Sequence, residues 1–387
     1  MRVLFITGEY PPMQGGVGDY TWKLGSALAA QGIDVHVLTS EDASPAHLLP
    51  AGVENVYPVV HRWGWGTARQ VNIVVANAAP DIVHIQYQSA AFDLHPAINV
   101  LPRSLRGGPA RVVVTFHDLR TPYLFPKAGP LRWRAVLELA RGSDAAIVTN
   151  AEDRLRLSAY PELTPRLHEV PIGANVLPDL SGSYDRAAQR ARYGVGPDDL
   201  LLCYFGFLNA SKGGEELMEA TARLVDGGLP AHLLMIGGNV GASDPTNAAY
   251  LDHVRQRIAE LGLQQHVHWT GFVVADEVSA AFAASDVAVL PYRDGASFRR
   301  GSLMAALAHG MPIVSTTPAL AIPQLRHGDT VWLASLRSPE SLANGVRQIW
   351  QDQDLRQRLH HGAATLATRF SWESIAQQHG EIYHGLV

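Results

Sequence analysis

The residue best placed for chemistry on an anion is Lys212, in the run Gly206-Phe207-Leu208-Asn209-Ala210-Ser211-Lys212-Gly213. An apolar stretch, Leu200–Phe205, leads into it and a helical pattern follows. A lysine there reaches a diphosphate through a charge-assisted contact worth about 1.5–3 kcal/mol. The alternative is a lysine solvated at the surface. A second loop of this kind follows Arg2–Thr7, in Tyr10-Pro11-Pro12-Met13-Gln14-Gly15-Gly16-Val17-Gly18. Glycines between a strand and a helix let a phosphate approach the N–H groups at the positive helix end. Thr21 stands where a dinucleotide fingerprint needs its third glycine, and no Walker A motif is present. Alone this loop reads equally well as a tight turn. Two such loops at equivalent places favour phosphate binding.

Histidines and arginines supply the other candidates. His84 closes a strand candidate at 81–85, and His117 closes another at Arg111–Phe116, followed by Asp118. With 17 histidines in the chain, the plain reading of either is a surface or satisfied core residue. Asp294-Gly295-Ala296-Ser297-Phe298-Arg299-Arg300-Gly301-Ser302 precedes a helix at 303–309, and two arginines at a helix start suit an anionic ligand. Asp352-Gln353-Asp354 looks like a metal motif but lies between helical stretches, where Asp serves as a cap. No Cys/His spacing suggests zinc, so no metal site is expected.

The elements that must hold these residues alternate. Strand candidates at 2–7, 34–38, 81–85, 111–116 and 145–149 are separated by helix-like segments such as 17–31. That is the pattern of a parallel sheet covered on both faces. A stretch rich in Pro, Gly, Ser and Asn at 171–183 reads as a linker. The pattern then restarts with strands at 200–205, 232–236, 266–269, 286–290 and 312–314. The expectation is α/β: two tandem doubly wound, Rossmann-like domains, 1–175 and 176–370, facing a cleft. Such sheets bind ligands beyond the carboxyl ends of their strands.

Composition bounds the function. At 387 residues with 47% hydrophobic and 17% charged residues, the chain has material for two cores and is not disordered. A net charge of −5 argues against non-specific nucleic-acid binding. The single cysteine, Cys203, rules out an internal disulfide and reads as a buried thiol. No apolar run reaches the length of a membrane span, and the opening run is too short for a signal-peptide core. The expected location is cytoplasmic, with peripheral contact at the inner membrane face as a variant. The Trp and basic residues at 61–65 and 127–134 could serve that contact or be solvated surface.

In sum, the chain resembles the GT-B fold glycosyltransferases, specifically glycosyltransferase family 4. The carriers are Pro11-Pro12 with Gly15-Gly16-Val17-Gly18, Asp81-Ile82-Val83-His84, Thr115-Phe116-His117-Asp118, Gly206 with Lys212-Gly213, and Ile236-Gly237-Gly238. Ala284-Ser285-Asp286-Val287-Ala288-Val289-Leu290-Pro291, Ala308-His309-Gly310-Met311-Pro312 and Phe370-Ser371-Trp372-Glu373 complete them. The resemblance implies transfer of a sugar from a nucleotide-sugar to an acceptor hydroxyl, with retention of configuration and without a metal or other cofactor. It also implies a last helix, about 371–387, that crosses back to the first domain. By the same resemblance Lys212 is expected to neutralise the donor diphosphate, Gly15 and Gly16 to offer it backbone, and His117 to lie beside the transferred sugar. Gly237, Gly238 and Phe272 line the nucleotide pocket. Asp19, Tyr20 and His84 fall on the acceptor side.

The family has Arg where this chain has Phe207, and a Glu pair where it has Ser297 and Ala305. The sequence therefore points to Arg299 or Arg300 for the missing phosphate charge, with Ser297 beside them, and to Asp294 as a substitute carboxylate for ribose. The resemblance implies a saccharide or lipid-linked saccharide acceptor, and nucleic acid is not expected as a partner. Two other readings remain on the same fold: a non-catalytic binding or partner subunit, favoured by the lost Glu pair, and a nucleotide-sugar epimerase or hydrolase.

Overall fold

A computed structural model describes residues 1–13, 15–43, 53, 55–119, 129–179, 184–237 and 245–387. The chain divides into two compact units, Met1–Asn175 with Ser371–Val387, and Val176–Phe370.

The first unit contains β1 (Arg2–Thr7), α1 (Gly16–Ala30), β2 (Asp34–Ser40), β3 (Asn55–Val60), α2 (Thr67–Ala78), β4 (Ile82–Tyr87), α3 (Ala97–Leu105), β5 (Arg111–Phe116), α4 (Gly129–Gly142), β6 (Ala145–Val148), α5 (Ala151–Ser158) and β7 (Leu167–Glu169). Its seven strands form one parallel sheet in the order β3-β2-β1-β4-β5-β6-β7. The reversal of strand order falls between β1 and β4, which pair with Val3 opposite Ile82 and Thr7 opposite Gln86. Both faces are covered, so β1 is apolar at successive positions. Leu4 and Ile6 enter one core, Val3 and Phe5 the other.

The second unit contains α6 (Arg186–Ala191), β8 (Leu200–Phe205), α7 (Gly214–Asp226), β9 (Ala231–Ile236), α8 (Pro245–Glu260), β10 (Val267–Gly271), α9 (Ala275–Ala284), β11 (Val287–Leu290), α10 (Gly301–Ala308), β12 (Ile313–Thr316), β13 (Trp332–Ala334), α11 (Pro339–Gln351) and α12 (Gln353–Ala367). Its six strands are parallel, in the order β10-β9-β8-β11-β12-β13. Cys203 is buried in β8, where burial pushes its thiol up to about 12. Asp352 caps α12, accepting from the Leu355 amide at 2.9 Å.

The last helix, α13 (Trp372–His384), packs on the first unit. Trp372, Ile375 and Tyr383 share a core with Val3 and Phe5, and Trp372 Nε1 donates to the Ala174 carbonyl at 2.8 Å. No helix among the described residues is long and apolar enough to cross a membrane.

Candidate active site

In the first unit the loop after β1 brings a carboxylate to the start of α1. Glu9 Oε1 accepts from the Val17 amide at 3.0 Å, and the Gly18 amide also faces this carboxylate. Gly15 makes this possible, because a Cβ there would lie 2.2 Å from the Glu9 carboxyl group. Gly16 is exposed, and a Cβ on it would meet nothing within 4 Å, so the helix start is open there. Asp19 is half-buried beside Glu9. Burial first, then the Glu9 charge, pushes its carboxyl up to about 6.

His117 follows β5 directly and is half-buried, its amide donating to the Tyr87 carbonyl at 3.0 Å. Its Nε2 lies 2.8 Å from Gln86 Oε1, and the Tyr20 ring meets it edge-on at 4.7 Å. Burial, with His379 nearby, takes the imidazole down to about 3, so it is neutral at ordinary pH.

Two acceptor-side expectations need correction. β4 runs on to Tyr87, so His84 is not at a strand end. It is fully buried, with Nδ1 2.6 Å from the Tyr383 hydroxyl and Nε2 2.8 Å from Thr115 Oγ1. Tyr20 is buried too, its ring packed between His117 and Trp372. His84 has both ring nitrogens engaged inside the unit, and both side chains are buried, so neither is open to a ligand.

In the second unit β8 ends at Phe205, and the chain turns through Gly206, at φ +110°. Lys212 closes a short 3-10 turn, Ala210–Lys212, capped by Asn209, whose Oδ1 accepts from the Ser211 amide at 3.0 Å. Gly213 then opens α7 at φ +72°, where a Cβ would lie 2.0 Å from the Pro291 carbonyl oxygen. Only glycine fits there, and it fixes where Lys212 leaves the backbone. The lysine is half-buried, and among the described residues no carboxylate pairs with it. Burial, then the neighbouring Arg300 charge, takes its ammonium down to about 8.

Arg300, the N-cap residue of α10, binds both Asp294 oxygens through Nη2 at 2.5 and 2.6 Å. Its guanidinium lies 4.9 Å from the Tyr292 ring centre, and its buried Nε has no hydrogen-bond partner among the described residues. Arg299 also reaches Asp294, at 3.1 Å. The expectation that Asp294 substitutes for the ribose carboxylate is thereby corrected: its oxygens are held by two guanidinium groups. Ser297 is half-buried, its carbonyl accepting from the Arg300 amide at 3.0 Å, and Ala305 is buried inside α10. The Gly237 amide donates to Thr270 Oγ1 at 3.0 Å, and Phe272 is 66% exposed. Gly238 lies outside the described residues.

Each sheet thus ends, at its carboxyl edge, in polar groups suited to a phosphorylated sugar. Residues 15–173 match the family described as glycosyl transferase 4-like domain, and residues 199–352 match glycosyl transferases group 1. The chain belongs to the GT-B glycosyltransferases of the family 4 type. This glycosyltransferase moves a sugar from a nucleotide-sugar donor to an acceptor. It is 26% identical over 404 residues to a GDP-mannose-dependent alpha-(1-6)-phosphatidylinositol monomannoside mannosyltransferase of Mycobacterium tuberculosis, covering 99% of this chain and 98% of that one. It is 22% identical to an N-acetyl-alpha-D-glucosaminyl L-malate synthase of Bacillus anthracis, over 97% of this chain and 95% of that protein. Its fold matches sucrose-phosphate synthase of Thermosynechococcus elongatus at a TM-score of 0.75 and 20% identity, covering 100% of this chain and 98% of that one. It matches Anabaena HepE, solved with UDP and glucose, at 0.75 and 19%, covering 100% of both chains.

Sequence reasoning missed two residues of this transferase: Glu9, which caps α1, and Gln86, which holds His117. Glu9 sits one residue before the Tyr-Pro-Pro motif, and its polarity at a strand end was the available signal. Gln86 carried none, since it lies beyond the end assigned to its strand.

Proposed function

We propose that this glycosyltransferase is a retaining, metal-independent hexosyltransferase in which Lys212 and Arg300 neutralise the donor diphosphate and His117 contacts the transferred sugar. Lys212 carries the reading. A half-buried ammonium with no carboxylate partner among the described residues, next to a second cation, is costly unless a ligand anion completes it. Departure of a nucleoside diphosphate leaves charge on its phosphate oxygens, and fixed cations stabilise that charge as it develops. Both arginines hold Asp294, and Arg300, the one beside Lys212, supplies the charge lost with Phe207. Gly16, exposed at the start of α1, offers its backbone to a phosphate. Gly15, Gly237 and Phe272 line the donor, with Ser297 at the arginine turn and Asp19 toward the acceptor.

The donor base and sugar follow from binding. The full-length mycobacterial relative supports a GDP-sugar and a lipid-linked saccharide acceptor, for which the exposed Trp65 beside Arg62 gives a membrane contact. The test is a calorimetric panel of UDP, GDP, ADP and their sugar conjugates, in EDTA and in magnesium. Binding of one nucleotide in EDTA, lost in Lys212→Ala by about ten- to hundredfold, supports the reading. Equal affinity in the variant removes Lys212 from the site. Product NMR then reads the anomeric configuration, and an inverted product overturns the retaining mechanism.

A further inference from the structure

We infer that Gln86 is a positioning residue that fixes the tautomer of His117, backed by His84 and the last helix. The inference rests on the proposed contact of His117 with the transferred sugar.

The hydrogen bonds have one consistent polarity. A neutral imidazole carries one N–H and one lone pair, and its partners decide which nitrogen holds which. Gln86 Oε1 is an acceptor, so His117 Nε2 carries the hydrogen and donates to it at 2.8 Å. The Gln86 amide nitrogen faces His84 Nε2 at 3.5 Å, a long contact, and the Thr115 hydroxyl faces the same nitrogen at 2.8 Å. Both are donors if His84 Nε2 holds its lone pair. His84 Nδ1 then carries the hydrogen and donates to the Tyr383 hydroxyl at 2.6 Å. The reverse tautomer of His84 would set an N–H against the Gln86 amide. His84 is fully buried and kept neutral by that burial, so this arrangement holds without a protonated imidazole.

One atom is left over. His117 Nδ1 has its lone pair and, among the described residues, no hydrogen-bond partner. It is therefore an acceptor available to a sugar hydroxyl. Tyr20 on α1 packs against the same imidazole, His379 on α13 lies near enough to act on it electrostatically, and Asp118 follows it in the chain. None is shown taking the role of Gln86. A sugar bound to Nδ1 would meet a correctly presented acceptor only while Gln86 holds the other nitrogen.

The experiment compares Gln86→Met and Gln86→Glu with the parent protein, reading the His117 tautomer by long-range nitrogen–proton NMR. The expected parent signal is a neutral ring protonated at Nε2. Gln86→Met removes the acceptor, so the signal becomes a tautomer mixture. kcat falls about tenfold, with donor KM changed much less. Gln86→Glu keeps the acceptor, restores the tautomer, and raises the His117 pKa, so the acidic limb of the pH–rate profile moves toward neutrality. A His117 signal unchanged in Gln86→Met overturns the inference, as does a parallel loss in kcat and KM. His117→Ala with full activity overturns the reading of His117 itself, a result separate from either.

Discussion

Glu9 accepts a hydrogen bond from the Val17 amide at 3.0 Å, so the first turn of α1 already holds an anion of its own. A helix start that would attract a phosphate is partly neutralised from within, and Gly16 stays exposed beside it. Glu9→Gln keeps an acceptor oxygen for Val17 but removes the charge. Nucleoside diphosphate should then bind about two- to fivefold more tightly, the range expected for one charge at a helix end. Titration calorimetry at low and high salt measures it. An unchanged Kd at low salt means that the phosphates do not approach α1.

The parallel sheets were legible because each central strand is buried on both faces and reads as a short apolar run. Leu200–Phe205 and Arg111–Phe116 show this. The exceptions have physical causes. β3 carries Asn55 and Pro58 and is half-exposed at the sheet edge, while β7 and β13 are three residues each. The sequence pattern ends β4 at Ile85, before the polar Gln86. The strand continues because His84 finds its partner in Tyr383, 299 residues away. The position of His117 after β5 was legible from the same apolar run. The engagement of Asp294 was not, since nothing local distinguishes a carboxylate open to ribose from one clamped by Arg299 and Arg300.

Those two arginines should separate by function. Both pair with Asp294, but Arg300 also lies close enough to Lys212 to depress its pKa. Arg300→Ala should weaken donor binding by about ten- to hundredfold, as for a lost charge-assisted contact. Arg299→Ala, which removes no neighbour of Lys212, should weaken it less than Arg300→Ala does. Equal losses in the two variants would show that the pair acts only through Asp294.

Lys212 makes donor binding depend on pH. In the free enzyme its ammonium titrates at about 8, below the ordinary lysine range, because burial and Arg300 disfavour the charge. Phosphate binding favours the charged form. Affinity should therefore be flat from neutral pH to about 8 and then fall by up to about tenfold per pH unit. Lys212→Arg, charged throughout, should flatten that limb. Stability has the opposite sign, since the unfolded chain binds the proton more tightly. The contribution of this group rises as pH passes from about 8 toward the ordinary lysine range. Thermal melts without ligand read this second effect, and calorimetry reads the first. A parent Kd that stays flat well above pH 8 would separate Lys212 from the phosphates.

Tyr383 ties the last helix to the interior of the first unit through a single buried bond. Its hydroxyl is 2.6 Å from His84 Nδ1, and both side chains are fully buried. Tyr383→Phe preserves the ring and the packing with Val3 and Phe5 but leaves the His84 N–H without an acceptor. A buried donor left unsatisfied costs about 1–3 kcal/mol, which lowers the melting temperature by several degrees. Because burial already keeps His84 neutral, protonation cannot relieve the loss near neutral pH. The double variant Tyr383→Phe, His84→Leu removes the stranded donor and should recover part of the stability. A double variant less stable than the sum of its single variants would mean that His84 contributes chiefly through Thr115 and Gln86, whose contacts with it survive the loss of Tyr383.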